Sequence, residues 1–387
     1  MQADPIKEAV LPDNITVVVR ISARCNLACT YCYARTSNRL GSTASFMAAK
    51  TASLVCEQFL SLPVKRVDFN WHGGEPLLCD PAVLWSALRT QQRLKADGRA
   101  SATNKVQTNG KHVPDEWLSL LREHPIDIGI SLDGPARFHN RHRKSMADDS
   151  SSCHEEVMAN AAKLREIDLP FGTLLVITED MAAAAKEVFD FITNEQLAVD
   201  LLPCFCRGPG GEVAPPSISP RSLARFVKEY FDEWIRHPDP PTCRMLEDIL
   251  GGLLGVKPTT CAFRHNCHHF YSVDTEGRLY PCDLFLGQQD MCLGDLRSEP
   301  LSIILRSPRA RAIRSRIAAL PEGCSECNWL ASCGGGCAAH RIGQKPNSFG
   351  RYYFCGARKS IFRHIEEFMA ANADLSLTAL TALRGRS

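Results

Sequence analysis

Short apolar runs alternate with longer amphipathic segments over roughly the first half of the chain. The predicted strands are 15–20, 64–71, 104–107, 126–131, 172–178 and 199–204. The predicted helices between them are 46–62, 81–97, 117–123, 155–167 and 181–194. Regular alternation of this kind indicates a parallel sheet with right-handed crossovers. Because six units are fewer than the eight of a closed barrel, we expect an α/β fold built on a partial (β/α)6 TIM-like barrel.

The character of the sequence changes after the sixth predicted strand. A Gly-, Pro- and Ser-rich loop at 207–220 leads to predicted helices at 222–235 and 244–254, and irregular Cys-rich segments begin at Lys257. An amphipathic helix is predicted at 359–371. The predicted divisions are an N-terminal extension at 1–14, the partial barrel at 15–245, a Cys-rich domain at 246–358 and a C-terminal helix and tail at 359–387.

Polar turns follow four of the predicted strands. They lie at 25–32, 73–76, 107–110 and 131–135. In barrels of this class the carboxyl ends of the strands carry the active site, so we expect these turns to meet at one face.

Composition and charge exclude several classes of function. The 45 Lys and Arg against 43 Asp and Glu give a formal net charge of +2, which offers no reason to expect nucleic acid or a membrane surface as partner. The chain shows neither a long apolar span nor a signal peptide, so we expect a cytoplasmic protein. Its 18 cysteines are the one feature of the composition that indicates a function, because in a cytosolic enzyme clustered thiols point to metal binding.

Three of these thiols, Cys25, Cys29 and Cys32, lie in the first polar turn, and no further Cys or His lies within ten residues on either side. Thiolates suit zinc, copper(I) and iron–sulfur clusters, and a closed site uses four ligands. A four-iron cluster held here would keep one iron open. A zinc knuckle that borrows a remote ligand is the alternative.

Eight more thiols are spaced along the Cys-rich domain, enough for two fully ligated four-iron clusters or for two structural zinc sites. They are Cys261, Cys267, Cys282, Cys324, Cys327, Cys333, Cys337 and Cys355. The remaining seven cysteines are scattered, and we interpret them as free thiols.

The Cys-x3-Cys-x-aromatic-Cys loop after a first strand resembles that of the radical S-adenosylmethionine (SAM) enzymes, and the later turns agree with it in order. The resemblance implies that SAM chelates the open iron and is cleaved to a 5′-deoxyadenosyl radical. It implies that Gly73, Gly74, Glu75 and Pro76 receive the methionyl amino group. The other residues that it implies are Tyr31 and Tyr33 beside adenine, Ser131 at the ribose, Arg143 at the carboxylate, with Arg141 as its competitor, and the Leu174 backbone at adenine.

The eight-thiol spacing resembles the SPASM extension of radical SAM enzymes. The resemblance implies one auxiliary [4Fe–4S] cluster on Cys261, Cys267, Cys282 and Cys337. It implies a second on Cys324, Cys327, Cys333 and Cys355. With the loop cluster, the cofactors expected are SAM and three [4Fe–4S] clusters, and the auxiliary pair is expected to transfer electrons.

Asp283, directly after Cys282, is the candidate catalytic base. In the similar anaerobic sulfatase-maturating enzymes, an Asp at that position takes the substrate proton. A carboxylate beside an anionic cluster should have a raised pKa. A structural hydrogen bond to its own loop is the alternative.

The resulting hypothesis is a SAM-dependent radical oxidoreductase that modifies a side chain of a peptide or protein. Maturation of a ribosomally made precursor peptide (RiPP maturation) is favoured, because His72 replaces the Gln typical of sulfatase maturases. The alternative is formation of formylglycine from a sulfatase Cys or Ser.

The expected partners are the polypeptide substrate and a low-potential electron donor such as flavodoxin or ferredoxin. Since only about fourteen residues precede the first strand, we expect a leader peptide to dock on the barrel, on the Cys-rich domain or on a partner. A non-catalytic multi-zinc interaction protein is the hypothesis from another class.

Overall fold

The computed structural model describes residues 11–34, 44–146, 152–208, 210–343 and 350–372. Most of the predicted N-terminal extension and the tail after Asn372 lie outside these ranges. None of the helices described is long and apolar enough to cross a membrane.

Six parallel strands form the barrel, in the order in which they follow along the chain. They are β1 (Asn14–Ser22), β2 (Arg66–Gly73), β3 (Ser101–Thr108), β4 (Ile126–Ser131), β5 (Phe171–Ile177) and β6 (Val199–Pro203). The partial (β/α)6 barrel predicted from the sequence is therefore confirmed. The predicted strand ends differ from these by at most three residues.

Alternate residues of each strand point to opposite faces of the sheet. On β1, Ile15, Val17, Val19 and Ile21 are buried in the main hydrophobic core, where the helices pack. The opposite face carries polar side chains, among them Arg20 on β1 and His72 on β2, which are register partners. The sequence therefore builds a barrel with an apolar outside, covered by helices, and a polar interior.

Helices follow the strands and cover the outer face. Those of the barrel are α1 (Ala49–Leu60), α2 (Ala82–Ala96), α3 (Asp115–Glu123), α4 (Ala136–His142), α5 (Cys153–Glu166), α6 (Ala185–Asn194), α7 (Pro220–Arg236) and α8 (Arg244–Leu253). The strand β3 begins at Ser101, before its predicted start at residue 104, because residues 101–103 pair with residues 66–68 of β2. One polar side chain of β3 is buried in the layer between sheet and helices. Asn104 faces the helices, where it exchanges hydrogen bonds with Gln91 of α2 at 2.8 and 3.0 Å and accepts one from Trp71 of β2 at 2.9 Å. A buried amide that is satisfied in this way can sit among apolar neighbours.

The Cys-rich segment continues the same sheet. Its strand β9 (Phe270–Val273) pairs with β1 in parallel, and β10 (Arg278–Tyr280) and β11 (Gly294–Asp295) follow in antiparallel pairing. Within the described residues, the sheet has nine strands in the order β11-β10-β9-β1-β2-β3-β4-β5-β6. The strand β1 is therefore central, although it is the first in the chain.

Short elements complete the fold. They are β7 (Cys206–Arg207), β8 (Val213–Ala214), β12 (Arg341–Ile342), β13 (Arg351–Tyr352), α9 (Cys261–Arg264), α10 (Leu301–Arg306), α11 (Pro308–Ala318), α12 (Leu330–Cys333) and α13 (Cys355–Ala371). The last helix packs on α7 and begins at Cys355, four residues before its predicted start.

Asp248 of α8 fixes the entry to α9, where the first thiol of the Cys-rich segment lies. Its buried carboxylate accepts hydrogen bonds from the Thr259 amide at 2.5 Å, the Thr259 hydroxyl at 3.0 Å and the Thr260 amide at 2.7 Å. Charged acceptors of backbone amides make strong hydrogen bonds.

We predict that Asp248→Asn lowers the free energy of unfolding by about 2 kcal/mol, because an amide nitrogen cannot accept these bonds and leaves a buried N–H unpaired. Anaerobic thermal unfolding measures the effect. The control is Asp239→Asn, an exposed aspartate beyond α7, which should change little. Equal effects of the two substitutions would contradict the anchoring role of Asp248.

Candidate active site

The thiol loop lies at the carboxyl end of β1 and is held by the end of α4 and the segment that follows it. The Ala28 amide donates to the Lys144 carbonyl at 2.7 Å, and the Thr30 amide donates to the His142 carbonyl at 3.0 Å. Burial raises the pKa of Cys25 to about 11 and that of Cys29 to about 12, and the charge of Cys32 acts in the same direction on both. The three thiols therefore lie within electrostatic reach of one another.

The turn after β2 packs directly against the backbone that leads into this loop. The Gly74 amide donates to the Ser22 carbonyl at 2.8 Å, and the Glu75 amide donates to the Arg24 carbonyl at 2.7 Å. A Cβ atom on Gly73 would lie 2.2 Å from the Ser22 carbonyl oxygen, and one on Gly74 would lie 2.2 Å from that of Arg24. The two glycines are thus required by the protein's own backbone, whatever ligand approaches them.

Glu75 is buried and its carboxylate is already engaged by three protein groups. It accepts hydrogen bonds from the Leu77 amide at 3.0 Å, the Thr108 hydroxyl at 2.7 Å and the Asn109 amide at 2.7 Å. Burial raises the pKa of Glu75 to about 7 against the effect of these donors. The acid joins the turn after β2 to the turn after β3, while its expected contact with SAM remains a prediction. Pro76 opens the short 3-10 turn that follows.

Arg143 lies in the site, whereas its competitor Arg141 is on the surface. The Arg143 guanidinium binds both carboxylate oxygens of Asp133, at 2.8 and 3.1 Å, and only 7% of its side chain is exposed, against 67% for Arg141. Burial disfavours ionisation of Asp133, but the charge and hydrogen bonds of Arg143, the charge of His139 and the hydrogen bond from Tyr31 together outweigh burial and lower the pKa of Asp133. The Tyr31 hydroxyl also donates to Asp133, and the Arg143 guanidinium lies 5.5 Å from the centre of its ring.

The other two residues expected at the nucleoside lie at the ends of β4 and β5. Ser131 accepts a hydrogen bond from the Gln107 side chain at 3.3 Å. The Leu174 carbonyl accepts one from the Leu132 amide at 3.0 Å, so it takes part in the pairing of β4 with β5.

The eight thiols of the Cys-rich segment fall into the two expected groups. Burial raises the pKa of all four thiols in the first group, and their mutual charges raise the pKa of three of them further. The members are Cys261, Cys267, Cys282 and Cys337. The thiols of the second group line one cavity together with Tyr352 and Arg358. Those are Cys324, Cys327, Cys333 and Cys355.

The structure thus brings together three thiols in one loop and two groups of four. Cysteine-rich sets of this kind suit iron–sulfur clusters, and the raised pKa values mean that binding would displace protons. Within the described ranges, the thiols, imidazoles and carboxylates form no group that could hold a single metal ion. Of the seven scattered cysteines, all but Cys292 are buried.

Asp283 of the Cys-rich segment and several residues of the barrel line one narrow cleft. The Tyr33 hydroxyl donates to its carboxylate at 2.5 Å, and the Cys282 thiol lies 3.5 Å from its other oxygen. Arg20, His72 and Gly73 line the same cleft. The Tyr33 hydroxyl therefore joins the thiol loop to the Cys-rich segment, while the expected place of Tyr33 beside an adenine stays a prediction.

His72 presents a hydrogen-bond donor to this cleft. Its Nδ1 lies 2.7 Å from the Gly73 amide, which can only donate, so Nδ1 is the acceptor even though the Gly73 carbonyl lies 3.1 Å away. Burial lowers the pKa of the ring. In the neutral ring the proton is therefore on Nε2.

Sequence reasoning missed two residues and one contact of the site. Asp133 was noted only as part of a turn, Arg20 only as part of a strand, and the Tyr33–Asp283 contact not at all. Asp133 follows a strand end directly, and Arg20 interrupts the apolar run of β1. These two positions in the sequence are the signals from which Asp133 and Arg20 could have been predicted.

Comparison with known proteins agrees with this arrangement. The family model described as the Radical SAM superfamily matches residues 19–192, and that of the iron–sulfur cluster-binding domain SPASM matches residues 261–328. The serine-type anaerobic sulfatase-maturating enzyme of Bacteroides thetaiotaomicron is 26% identical over 375 residues, which are 91% of this chain and 89% of that one. The cysteine-type enzyme of Clostridium perfringens is 24% identical over 362 residues, which are 92% and 96%.

Two solved structures share the fold. Native anSMEcpe with bound AdoMet superposes with a TM-score of 0.82 at 22% identity, over 93% of this chain and 99% of that chain. Streptococcus suis SuiB bound to precursor peptide SuiA superposes with a TM-score of 0.61 at 16% identity, over 89% and 76%. The domains imply SAM and [4Fe–4S] clusters as cofactors. The thiol loop, the barrel and the two matched domains show that the chain belongs to the radical SAM superfamily and carries a SPASM domain.

Proposed function

We propose that this enzyme oxidises a serine or cysteine side chain of a sulfatase to formylglycine. The observation that carries the proposal is the cleft in which Tyr33 holds Asp283 next to Cys282, because it joins a proton acceptor to the edge of the barrel. The relatives named above, which match about nine-tenths of the chain, are sulfatase-maturating enzymes of both the serine and the cysteine type.

The reaction removes one hydrogen atom, one proton and one electron from the target side chain. When bound, SAM and the clusters supply the hydrogen-atom abstraction and accept the electron. The loop thiols Cys25, Cys29 and Cys32 would hold the cluster that binds SAM, and Gly73 to Pro76, Ser131, Arg143 and Leu174 would surround the ligand. A serine then gives the aldehyde directly, and a cysteine gives a thioaldehyde that water converts to the aldehyde with loss of sulfide.

Asp283 is the proposed proton acceptor. Tyr33 donates to one oxygen of its carboxylate and fixes its orientation, so the proton would pass to the other oxygen. His72 and Arg20 add N–H donors to the same cleft. The chain's own contribution is therefore to orient the target side chain and to take one proton from it.

Precursor-peptide maturation, which the sequence favoured, is the weaker interpretation. It depended on His72 in place of a Gln, and His72 lies in the cleft as a hydrogen-bond donor, a role that an amide also fills. A low-potential donor such as flavodoxin or ferredoxin remains the proposed source of electrons.

We predict that the anaerobic, reduced holoenzyme converts a synthetic peptide carrying the sulfatase target serine or cysteine to the aldehyde. Mass spectrometry detects the product, and aldehyde-specific labelling confirms it. The matched control is a peptide with alanine at the target position. Efficient SAM cleavage without aldehyde from either peptide would contradict the proposed function.

We predict that Asp283→Asn lowers aldehyde formation by about 100-fold or more, because the amide cannot accept the proton. SAM cleavage and iron content are measured on the same preparations, so that loss of the cluster is distinguished from loss of the base. Asp290→Asn, on an exposed neighbour in the same segment, is the control. An Asp283→Asn variant with normal turnover would remove Asp283 from the mechanism.

We predict that Cys29→Ala abolishes deoxyadenosine formation and reduces iron from roughly twelve to roughly eight atoms per chain, at four per cluster. Iron analysis and chromatography of the nucleoside make the measurement. Cys292→Ala, outside all three groups of thiols, should keep both. Zinc in place of iron in the native protein would instead support the multi-zinc hypothesis.

A further inference from the structure

Arg20 is a buried arginine whose side chain has no hydrogen bond and no ion pair with any residue in the described part of the chain. Only 6% of it is exposed. It points from β1 into the cleft that Asp283, Tyr33 and His72 also line. Its register partner on β2 is His72, so the two side chains leave the same face of the sheet.

In the described part of the chain the five N–H donors of Arg20 have no protein acceptor, and none of its nitrogens is among the side-chain atoms that are fully shut off from solvent, so they remain accessible through the cleft. A guanidinium that is mostly buried in this way is poorly compensated for the water it has lost. The other buried arginines in the described part of the chain all donate to protein acceptors, although the Nε of Arg341 has none. Arg143 binds Asp133, Arg341 donates to the carbonyls of Ile317 and Ala319, and Arg358 donates to those of Ala262 and Cys333. Arg20 differs from them in facing a cleft.

The cleft offers donors on one side and an acceptor on the other. Arg20 and the Nε2–H of His72 are donors, whereas Asp283 is an acceptor whose carboxylate Tyr33 orients. A ligand that satisfies this arrangement presents an acceptor oxygen to Arg20 and, a few ångströms away, a group that can give up a proton to Asp283. The target residue of a polypeptide has both, in its main-chain carbonyl and its side chain.

We propose that Arg20 is the substrate-binding residue that receives the main-chain carbonyl oxygen of the residue to be oxidised. This rests on the proposed function. The N–H fork of Arg20 would hold the peptide backbone, with His72 as a second donor, and so present the target Cβ and its proton to Asp283. The cleft would recognise a peptide unit, and contacts other than those of Arg20 would select the target side chain.

A neutral carbonyl fits better than a substrate carboxylate. Arg20 and the Asp283 carboxylate already bring one charge of each sign to this narrow cleft, and the Cys282 thiolate next to Asp283 would add negative charge. A second carboxylate would be repelled by these groups, whereas a carbonyl accepts hydrogen bonds from Arg20 without adding charge.

The first test compares two arginine-to-methionine variants of the substrate-free holoenzyme. Removing an unpaired buried charge should raise the apparent unfolding temperature in Arg20→Met by about 2 °C. Arg341→Met, which removes an arginine with two carbonyl partners, should lower it. A decrease in Arg20→Met as large as that in Arg341→Met would show that Arg20 is structural and would overturn the proposal.

The second test is a double-mutant cycle in which one change is Arg20→Met in the enzyme and the other is a single-atom change in the substrate backbone. The probe is the sulfatase target peptide, with the carbonyl oxygen of the target residue either intact or replaced by sulfur, a weaker acceptor. In the wild-type enzyme the thioamide should raise KM, and Arg20→Met should raise KM for the normal peptide by about 10- to 100-fold. In Arg20→Met the thioamide should have no further effect, and Arg20→Lys should recover part of the loss.

Equal thioamide effects in wild type and Arg20→Met would overturn the proposal, since the carbonyl would then be bound elsewhere. No thioamide effect in wild type, with KM still raised in Arg20→Met, would overturn it in favour of a side-chain acceptor. The unfolding comparison requires no substrate. If wild-type enzyme converts no sulfatase peptide, the proposed function fails, while a raised unfolding temperature in Arg20→Met still supports the unpaired site.

Discussion

The pairing of β1 with β2 on one side and with β9 on the other is the constraint on which the rest of the structure depends. The thiol loop continues from the end of β1, and the turn after β2 packs on the backbone of that loop. The Cys-rich segment enters the sheet on the opposite edge of the same strand. One strand therefore sets the distance between the loop thiols and Asp283.

Within this frame, buried polar groups hold the strand ends together. Glu75 joins the turns after β2 and β3, and the ion pair of Asp133 with Arg143 joins the turn after β4 to the end of α4. Asp133 also accepts a hydrogen bond from the Val176 amide of β5 at 3.0 Å. Each of these charges is compensated by protein partners, and such networks fix a single geometry when every member is satisfied. The guanidinium of Arg20, which has no hydrogen bond or ion pair among the described residues, differs from them, and we interpret it as a group that awaits a ligand.

The sequence predicted what depends on local spacing. The thiols, the strand ends and the two glycines were found because ligand chemistry and tight turns require particular residues at short separations. Contacts between distant residues were missed. Tyr31 and Asp133 are 102 residues apart, and Tyr33 and Asp283 are 250 apart, so no pattern within one segment could join them. The addition of β9 to β1 was missed for the same reason, since a four-residue strand gives almost no periodic signal.

The central claim is that the barrel and the Cys-rich segment form one catalytic cleft through the hydrogen bond between Tyr33 and Asp283. Aldehyde formation in the double variant Tyr33→Phe, Asp283→Asn, compared with both single variants, measures this coupling directly. If Tyr33 acts by orienting Asp283, the double variant should be no slower than Asp283→Asn alone. If the two losses multiply, the residues act independently, and the claim of a single coupled site is wrong.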